Sequence, residues 1–225
     1  MDIWAGGMIR NEIGRSLEFV TNPEQAGLQA KAMPFSLQTI FALFLLCSII
    51  SVVVASFLTQ VMPETSSEIV IPATATDFEK IVYNQLQTIL NFFNHNPIIT
   101  VALSAVFGIA SSLILFAIGR NFSPSIDFIA SQSALVRFEV VTTFAINILQ
   151  VFAIVFYMLS SSMGSAFSTV ITFLGIAILL LKIHFIRGVF EVAGFGKAFQ
   201  IWFLSVLSLF VFGFFMSLIF VAIML

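Results

Sequence analysis

The sequence predicts an all-α fold, a polytopic membrane bundle of five transmembrane helices with additional interfacial amphipathic helices. The chain is 60% hydrophobic and only 9% charged, whereas ordinary soluble domains carry about 25% charged residues. Five apolar runs approach or exceed the roughly 20 residues that a helix needs to cross a bilayer. Eight of the nine basic residues fall on one side of the topology that these runs define.

The distribution of basic residues predicts the orientation. Lys and Arg collect in short cytoplasmic segments, so the side that carries most of them is expected to face the cytoplasm. The exception is Lys80, which falls on the other side. We therefore expect the amino terminus inside and the carboxyl terminus outside. The eight residues on the inner side are Arg10, Arg15, Lys31, Arg120, Arg137, Lys182, Arg187 and Lys197.

Composition also excludes several classes of protein. A soluble core could not hold 28 Phe with so few charges to cover it, so residues 1–225 are expected to form a single membrane domain. The formal net charge of −2 provides no basic surface for nucleic acid. The single cysteine, Cys47, allows neither an intrachain disulfide nor a cysteine-based metal site. The first residues lack a signal-peptide pattern, so the first span is expected to be its own insertion signal.

Residues 1–36 are expected to form an amphipathic segment on the inner face. Apolar residues recur every three to four positions over residues 8–20 and predict an amphipathic helix. A helix of this kind next to a membrane typically lies in the interface. Thr21-Asn22-Pro23 then combines a cap with a first-turn proline, which predicts a second short helix to about Met33.

The five spans are expected at residues 37–58, 98–118, 140–159, 169–186 and 201–225. The fourth helix can continue to Ala193 before Gly194-Phe195-Gly196 breaks it. Ser123-Pro124 predicts a short helix within the inner loop, residues 121–137. Residues 160–168 are rich in small side chains and predict a tight outer turn.

The outer loop, residues 60–97, contains a second amphipathic pattern. Thr76 and Glu79 have the spacing of a capping box. An apolar stripe follows, so we expect a helix from Asp77 to about Asn94 on the outer membrane surface. The stripe consists of Phe78, Val82, Leu86, Ile89 and Phe93.

The sequence contains no recognisable catalytic or metal-binding pattern. Its two histidines, His95 and His184, are far apart, and the zinc, phosphate-loop and nucleophile-elbow motifs are missing. We therefore expect no enzyme activity, no catalytic residues, no bound metal and no cofactor.

The richest polar group lies at the inner end of the fourth span. On a helix, His184, Arg187 and Glu191 share one face, and Lys182 points to nearly the opposite one. One interpretation is a site for a ligand or a lipid headgroup, with Arg187 and His184 as donors. The interpretation we favour is an i,i+4 ion pair between Arg187 and Glu191, with Lys182 reaching the inner headgroups.

The third span carries Asn147 and Gln150 near mid-membrane on one face, with Tyr157 further out. Amides in lipid usually form hydrogen bonds across helices. The alternative is a polar path for a solute or protons, but such paths normally recruit ionisable groups at mid-depth. Because the spans have no acidic residue there, we favour packing.

Small residues recur every four positions on two spans. We call these the small-residue stripes, because such residues let helix backbones approach closely. The stripes can serve packing within the chain, or they can serve self-association or docking on another membrane protein. They consist of Cys47, Ser51, Ala55 and Thr59 on the first span and Ser104, Gly108 and Ser112 on the second.

The chain resembles the Yip1 family, particularly its bacterial members. The similar stretches are residues 16–26, an Asn-Pro entry helix, the inner loop before the third span, and residues 182–199, a His- and Gly-bearing hinge. The resemblance covers nearly the full length. It implies a five-span, non-enzymatic protein of the bacterial inner membrane, with a cytoplasmic amino terminus and a periplasmic carboxyl terminus.

Two functions follow as hypotheses. The first is an interaction protein that organises membrane or stabilises a complex, with membrane lipids and another membrane protein or a second copy as partners. The second is a small oligomeric transporter or channel with a polar path near Asn147 and Gln150. A dry bundle with an exposed small-residue face would favour the first, and a polar mid-depth cavity would favour the second.

Overall fold

A computed structural model describes residues 18–61, 76, 79–80, 83–84, 87–88, 91 and 96–224. Six helices have both of their ends within these residues. Five of them are long and apolar enough to cross a membrane, which confirms the all-α polytopic fold. The helices are α1 Pro23–Lys31, α2 Leu37–Val61, α3 Pro97–Phe122, α4 Phe128–Leu159, α5 Ser161–Phe190 and α6 Phe195–Met224.

The amino-terminal segment follows the cap-plus-proline prediction. Asn22 is the N-cap of α1, and its Oδ1 accepts a hydrogen bond of 3.3 Å from the backbone N–H of Gln25. Pro23 occupies the first helical position, where its missing N–H leaves no partner unsatisfied. Residues 18–21 are also helical. The rest of the amphipathic helix predicted over residues 8–20 lies outside the described residues.

The helix α4 begins much earlier than the predicted third span, which corrects the expected inner loop. Ser123-Pro124 forms a turn, and the helix starts at Phe128. Asp127 caps it, because its Oδ1 accepts a 2.8 Å hydrogen bond from the N–H of Ala130. The helix accommodates the polar run that follows, because the hydroxyls are satisfied by the helix's own backbone, as that of Ser131 is by the carbonyl of Phe128 at 2.8 Å.

The connection between α4 and α5 is a single residue, Ser160, and not the turn predicted over residues 160–168. The N–H of Ser160 bonds to Phe156, and the N–H of Gly164 bonds to Ser160, at 2.9 and 3.0 Å. Helical backbone is the arrangement that satisfies these groups locally in an apolar medium. A β-carbon at Gly164 would lie 2.5 Å from that of Tyr157, so the glycine permits the tight reversal.

The helix α5 ends at Phe190, before the predicted limit at Ala193. Glu191 adopts a left-handed conformation with φ of 50°. The N–H of Val192 bonds back to the carbonyl of Arg187 at 3.2 Å, the six-to-one bond of a Schellman motif. Gly194, with φ of 84°, completes the reversal into α6.

The capping box predicted at Thr76 and Glu79 is confirmed. Glu79 Oε2 accepts from the backbone N–H of Thr76 at 2.7 Å, and the N–H of Glu79 donates to Thr76 Oγ1 at 3.3 Å. The described residues that follow, 79–80, 83–84, 87–88 and 91, are helical. The apolar stripe of the predicted helix lies outside the described residues, and its place on a membrane surface stays a prediction.

The chain divides into two compact units. The first comprises Met1–Phe44, Phe107–Thr142 and Phe173–Leu225, and the second Leu45–Val106 and Thr143–Thr172. The first unit contains the largest cluster of buried apolar residues in the described part of the chain, to which α1, α3, α4, α5 and α6 contribute. The candidate spans are mostly uncovered, since only 11% to 22% of the positions in their most apolar windows are buried. Their apolar surface is therefore available to lipid or to other helices.

Candidate functional site

An ion pair marks the end of the apolar part of the bundle. Lys182 Nζ of α5 lies 2.5 Å from Glu139 Oε1 of α4. Between this pair and the far ends of the two helices, residues 140–159 and 161–181 contain no charge. Each of these runs is about 30 Å long, the thickness of a hydrocarbon core. A hydrocarbon core filled by these two runs would therefore end at this pair.

The turns on the other side of the pair pack with the amino-terminal segment into a region rich in buried residues, which we call the headpiece. It consists of residues 18–36, residues 128–139 of α4 and residues 182–192 of α5. Phe185, Ile186, Val189 and Phe190 are fully buried. The rings of Phe19, Phe138 and Phe185 pack together, with centroids 4.9 to 6.1 Å apart. The headpiece therefore has a densely buried core, whereas only 11% to 22% of the most apolar windows of the candidate spans is buried.

Two glycines bring α1 into backbone contact with α5. A β-carbon at Gly27 would lie 2.5 Å from the carbonyl oxygen of Phe185, and one at Gly188 would overlap the carbonyl of Glu24. Neither approach could tolerate a side chain. This crossing was not foreseen from the sequence. The available signal was a glycine inside each of two helices, where it costs about 1 kcal/mol relative to alanine without a packing reason.

Ion pairs flank this crossing and correct the predicted i,i+4 pair. Arg187 Nη1 lies 3.1 Å from Glu24 Oε2, and Glu191 pairs with Lys31. Glu191 cannot reach Arg187 along a helix, because it lies past the helix end in a left-handed conformation. Partial burial lowers the pKa of Lys31, because desolvation opposes its charged form.

The basic residues that could have formed a headgroup site, Lys182, His184 and Arg187, each contact a different neighbour. Lys182, expected to reach the headgroups, pairs with Glu139. His184 packs its ring 5.2 Å from that of Phe195. Arg187 faces Glu24 on α1, and its Nε is buried without a hydrogen-bond partner in the described part of the chain.

Three consecutive polar residues at the base of the headpiece were missed by the sequence interpretation. Ser131, Gln132 and Ser133 are buried. Gln132 Nε2 donates to the carbonyl of Ser112 on α3 at 3.1 Å. Ser133 Oγ accepts from the N–H of Phe35 at 2.7 Å and donates to Ile129 at the same distance. These bonds tie α3 and the segment before α2 to α4, and only the tertiary fold could reveal them.

Arg137 is held in place by two contacts within the headpiece. Its guanidinium carbon lies 3.9 Å from the centroid of the Phe35 ring, a cation–π geometry. Its Nη1 donates to the carbonyl of Ala30 at the end of α1. Since an arginine has five N–H donors in a rigid fork, these contacts fix the direction of the charge.

The intramembrane amides differ from each other in their surroundings. Asn147 is 6% exposed. Its Nδ2 donates to the carbonyl of Thr143 at 2.7 Å and lies 3.5 Å from Ser51 Oγ on α2. Gln150 and Tyr157 are half-buried, and no hydrogen bond joins either of their side chains to Asn147 among the described residues.

In each small-residue stripe, the residues at one end are buried and those at the other end are exposed. On α2, Cys47 is buried and Ser51 half-buried, while Ala55 is exposed. On α3, Ser112 is buried and Gly108 is half-buried against the ring of Phe44, which a β-carbon at Gly108 would approach to 3.2 Å.

The α3 stripe ends at Ser104, which is exposed. Each stripe therefore contributes both to packing within the chain and to its surface. Thr59, which continues the α2 stripe, has a side chain outside the described residues.

No group of three or more potential metal ligands occurs among the described residues. No protein-family profile matches the chain. A search of curated proteins and a search of solved structures also found no match. The comparisons therefore support no family assignment, whereas the fold establishes a polytopic helical membrane protein.

Proposed function

We propose that this protein is a non-enzymatic membrane protein that organises membrane or stabilises a complex through helix association. The observation that supports this most directly is the course of the two small-residue stripes. Their buried ends pack within the chain, while Ala55 and Ser104 remain exposed on apolar helices. A small exposed residue allows a second helix to approach the backbone closely. The partner would be another membrane protein or a second copy of this chain.

An apolar groove in the second unit adds to this surface. Its volume is about 420 Å³, and it lies between residues 49–57 of α2 and the first two turns of α3. Among the described residues that line it, seven side chains are apolar and that of Ser56 is polar. The hydroxyl of Ser56 bonds to the carbonyl of Val52 at 2.8 Å, so the groove presents a nearly apolar surface.

The state of Asn147 favours association over transport. This side chain is buried and bonded to its own helix, with Ser51 on α2 as its neighbour. A residue lining a water-filled path would instead present its amide to water. The alternative hypothesis is a transporter with a path near Asn147 and Gln150. The experiment below distinguishes it from association.

We further propose that the headpiece faces the cytoplasm of a bacterial inner membrane, as the resemblance to bacterial Yip1 proteins implies. Charge supports this orientation, because four of the basic residues lie in the headpiece: Lys31, Arg137, Lys182 and Arg187. Only Lys and Arg count in the rule that relates charge to topology. The ion pairs of the headpiece therefore leave the argument intact.

Native mass spectrometry after mild detergent extraction tests the proposed association. We expect a complex of fixed stoichiometry that is lost in Ala55→Leu and Ser104→Leu and retained in Val151→Leu, an exposed α4 control. Reconstitution of the same preparations into liposomes provides the opposing readout. Solute flux that Asn147→Leu abolishes would establish the oligomeric transporter instead, and a monomer in every preparation would contradict the proposed association.

A further inference from the structure

The helix α5 ends at a residue that is unfavourable for its position. The N–H of Val192 bonds to the carbonyl of Arg187, which makes Glu191 the C′ residue of a Schellman motif. The left-handed conformation at this position, with φ of 50°, is typical of glycine, because a β-carbon is crowded there. A glutamate at C′ therefore strains the backbone at the point where α5 ends.

A stop signal with more suitable residues lies three positions further along the chain. Gly194 has a φ of 84° and is the residue type expected at C′. If α5 continued through Ala193, Phe195 would be C″ and Phe190 would be C3. An apolar contact between these two positions frequently accompanies the Schellman motif, and here both are phenylalanine. The local sequence therefore favours a helix that is three residues longer than the observed one.

The charges at the end of α5 also permit two arrangements. In the structure, Arg187 pairs with Glu24 of α1 at 3.1 Å. Glu191 pairs with Lys31, also on α1. In a helix that continued to Ala193, Glu191 would instead lie one turn from Arg187, at the spacing of an i,i+4 ion pair. Each arrangement therefore uses Arg187 and Glu191, but only the observed one requires α1.

Contacts with α1 hold the shorter helix. A β-carbon at Gly188 would overlap the carbonyl of Glu24, so α1 lies directly on the last turn of α5. Ala26 and Ala30 of α1 are buried in the same cluster as the end of α5, and both helices belong to the first unit. Strained backbone persists only where its surroundings impose it. Here α1 supplies those surroundings.

We propose that the corner between α5 and α6 is a two-state switch controlled by α1. With α1 seated, α5 ends at Phe190, as observed. With α1 released, α5 continues to Ala193, Glu191 pairs with Arg187 and Gly194 becomes C′. A connection of the same length would then take residues 194–197, and the first turn of α6 would unwind.

The switch would couple the seating of a short helix to the length of two helices that can span a membrane. It is independent of the proposed helix association, because it requires only contacts within the first unit. A change of state needs an interaction that differs between the two states. The seat of α1 provides that difference, since its ion pairs with α5 exist in one state only.

The variant Gly27→Leu tests the released state. A β-carbon at Gly27 would lie 2.5 Å from the backbone oxygen of Phe185, so the variant cannot seat α1, while leucine keeps its helix propensity. NMR of the full chain in micelles measures the coupling between the amide and α protons of Glu191, which depends on φ, and amide exchange over residues 191–194. Gln25→Leu, at an exposed position on α1, is the matched control.

We expect the Glu191 coupling of Gly27→Leu to become that of a right-handed helix, and the amides of residues 193 and 194 to gain protection. The control should keep the wild-type values. An unchanged coupling at Glu191 in the released variant would overturn the proposal. Loss of protection throughout residues 187–194 would also overturn it, because α5 would then fray and not extend.

A second measurement shifts the equilibrium in the other direction and does not depend on the folding of Gly27→Leu. Ala30 is 6% exposed, so the labelling rate of Ala30→Cys in a Cys47→Ser background reports the release of α1. Glu191→Gly removes the left-handed penalty and should slow labelling about tenfold. Glu191→Ala keeps the penalty and should not slow it. Equal rates in the glycine and alanine variants, or faster labelling with glycine, would contradict the switch.

Discussion

Gly188 of α5 packs directly against the carbonyl of Glu24 in α1, so closely that a β-carbon at Gly188 would overlap it. This contact seats the short amino-terminal helix on the bundle and completes the core of the headpiece. Because the obstacle is backbone and not a flexible side chain, the two helices would have to separate to admit even a methyl group.

The variant Gly188→Ala should therefore destabilise the headpiece by about 1–3 kcal/mol, the usual range for overpacking. Thermal unfolding in detergent measures this effect. Gly175→Ala is the matched control, since a β-carbon there meets nothing within 4 Å on the same helix. Alanine has the better helix propensity, by about 1 kcal/mol, so the control should be neutral or stabilised. Equal melting temperatures for the two variants would refute the close crossing.

A second prediction concerns Glu191, the left-handed residue at the end of α5. Glycine avoids the penalty of about 1–2 kcal/mol for a left-handed L-residue. The exposed pair between Glu191 and Lys31 contributes little, about 0–1 kcal/mol. Glu191→Gly should thus raise the melting temperature, whereas Glu191→Ala loses the pair without relieving the strain. A less stable glycine variant would show that the ion pair outweighs the strain.

The ion pair between Glu139 and Lys182 should behave as a weak but measurable coupling. Both side chains are partly exposed, 36% for Glu139 and 26% for Lys182, so solvent screening limits its value to about 1 kcal/mol or less. A double-mutant cycle with Glu139→Gln and Lys182→Met isolates the pairwise term. Additive effects of the two changes would show that the pair contributes nothing to stability.

Asn147 should act in packing and not in conduction. Asn147→Leu is expected to change stability by about 0.6 kcal/mol, the mean for interhelical hydrogen bonds in membranes. Replacing Gln150 by Leu as well should bring the change to about 1 kcal/mol. Chemical denaturation in mixed micelles measures both. A double variant with unaltered stability that abolishes a solute flux would favour the transport hypothesis.

The stability of the capping box formed by Thr76 and Glu79 should depend on pH. The backbone N–H and then the hydroxyl of Thr76 lower the pKa of Glu79 below the ordinary value of 4.5. A carboxylate with a lowered folded pKa stabilises the fold above the unfolded value, and this contribution disappears as the pH falls through the folded pKa. NMR titration should therefore place Glu79 below 4.5. Thr76→Ala should move it part of the way back, since the backbone donor remains.

The sequence was sufficient for the apolar architecture and insufficient for the headpiece. The start of α2 at Leu37 and the capping box at Thr76 follow from local patterns. Residues 131–133 resemble a loop by polarity, yet their side chains bond within and between helices. The pairing of Gly27 with Gly188 could not be inferred from periodicity, because it joins helices that are far apart in the chain.

The partners of Arg187 and Glu191 also could not be predicted from local spacing. Spacing placed Arg187 and Glu191 on one helical face, but that argument required the helix to continue past Phe190. The Schellman motif ends it there, and each residue finds a partner on α1 instead.

The central claim, that this protein works through helix association, is tested most directly by photo-crosslinking in intact membranes. A photoreactive amino acid replaces Ala55 at the exposed end of the α2 stripe, and the matched control replaces Val151, an exposed position on α4. We predict a discrete adduct at Ala55 whose mass equals this chain plus one protein partner or one second copy, and no discrete protein adduct at Val151. Lipid adducts alone at both positions would contradict the claim.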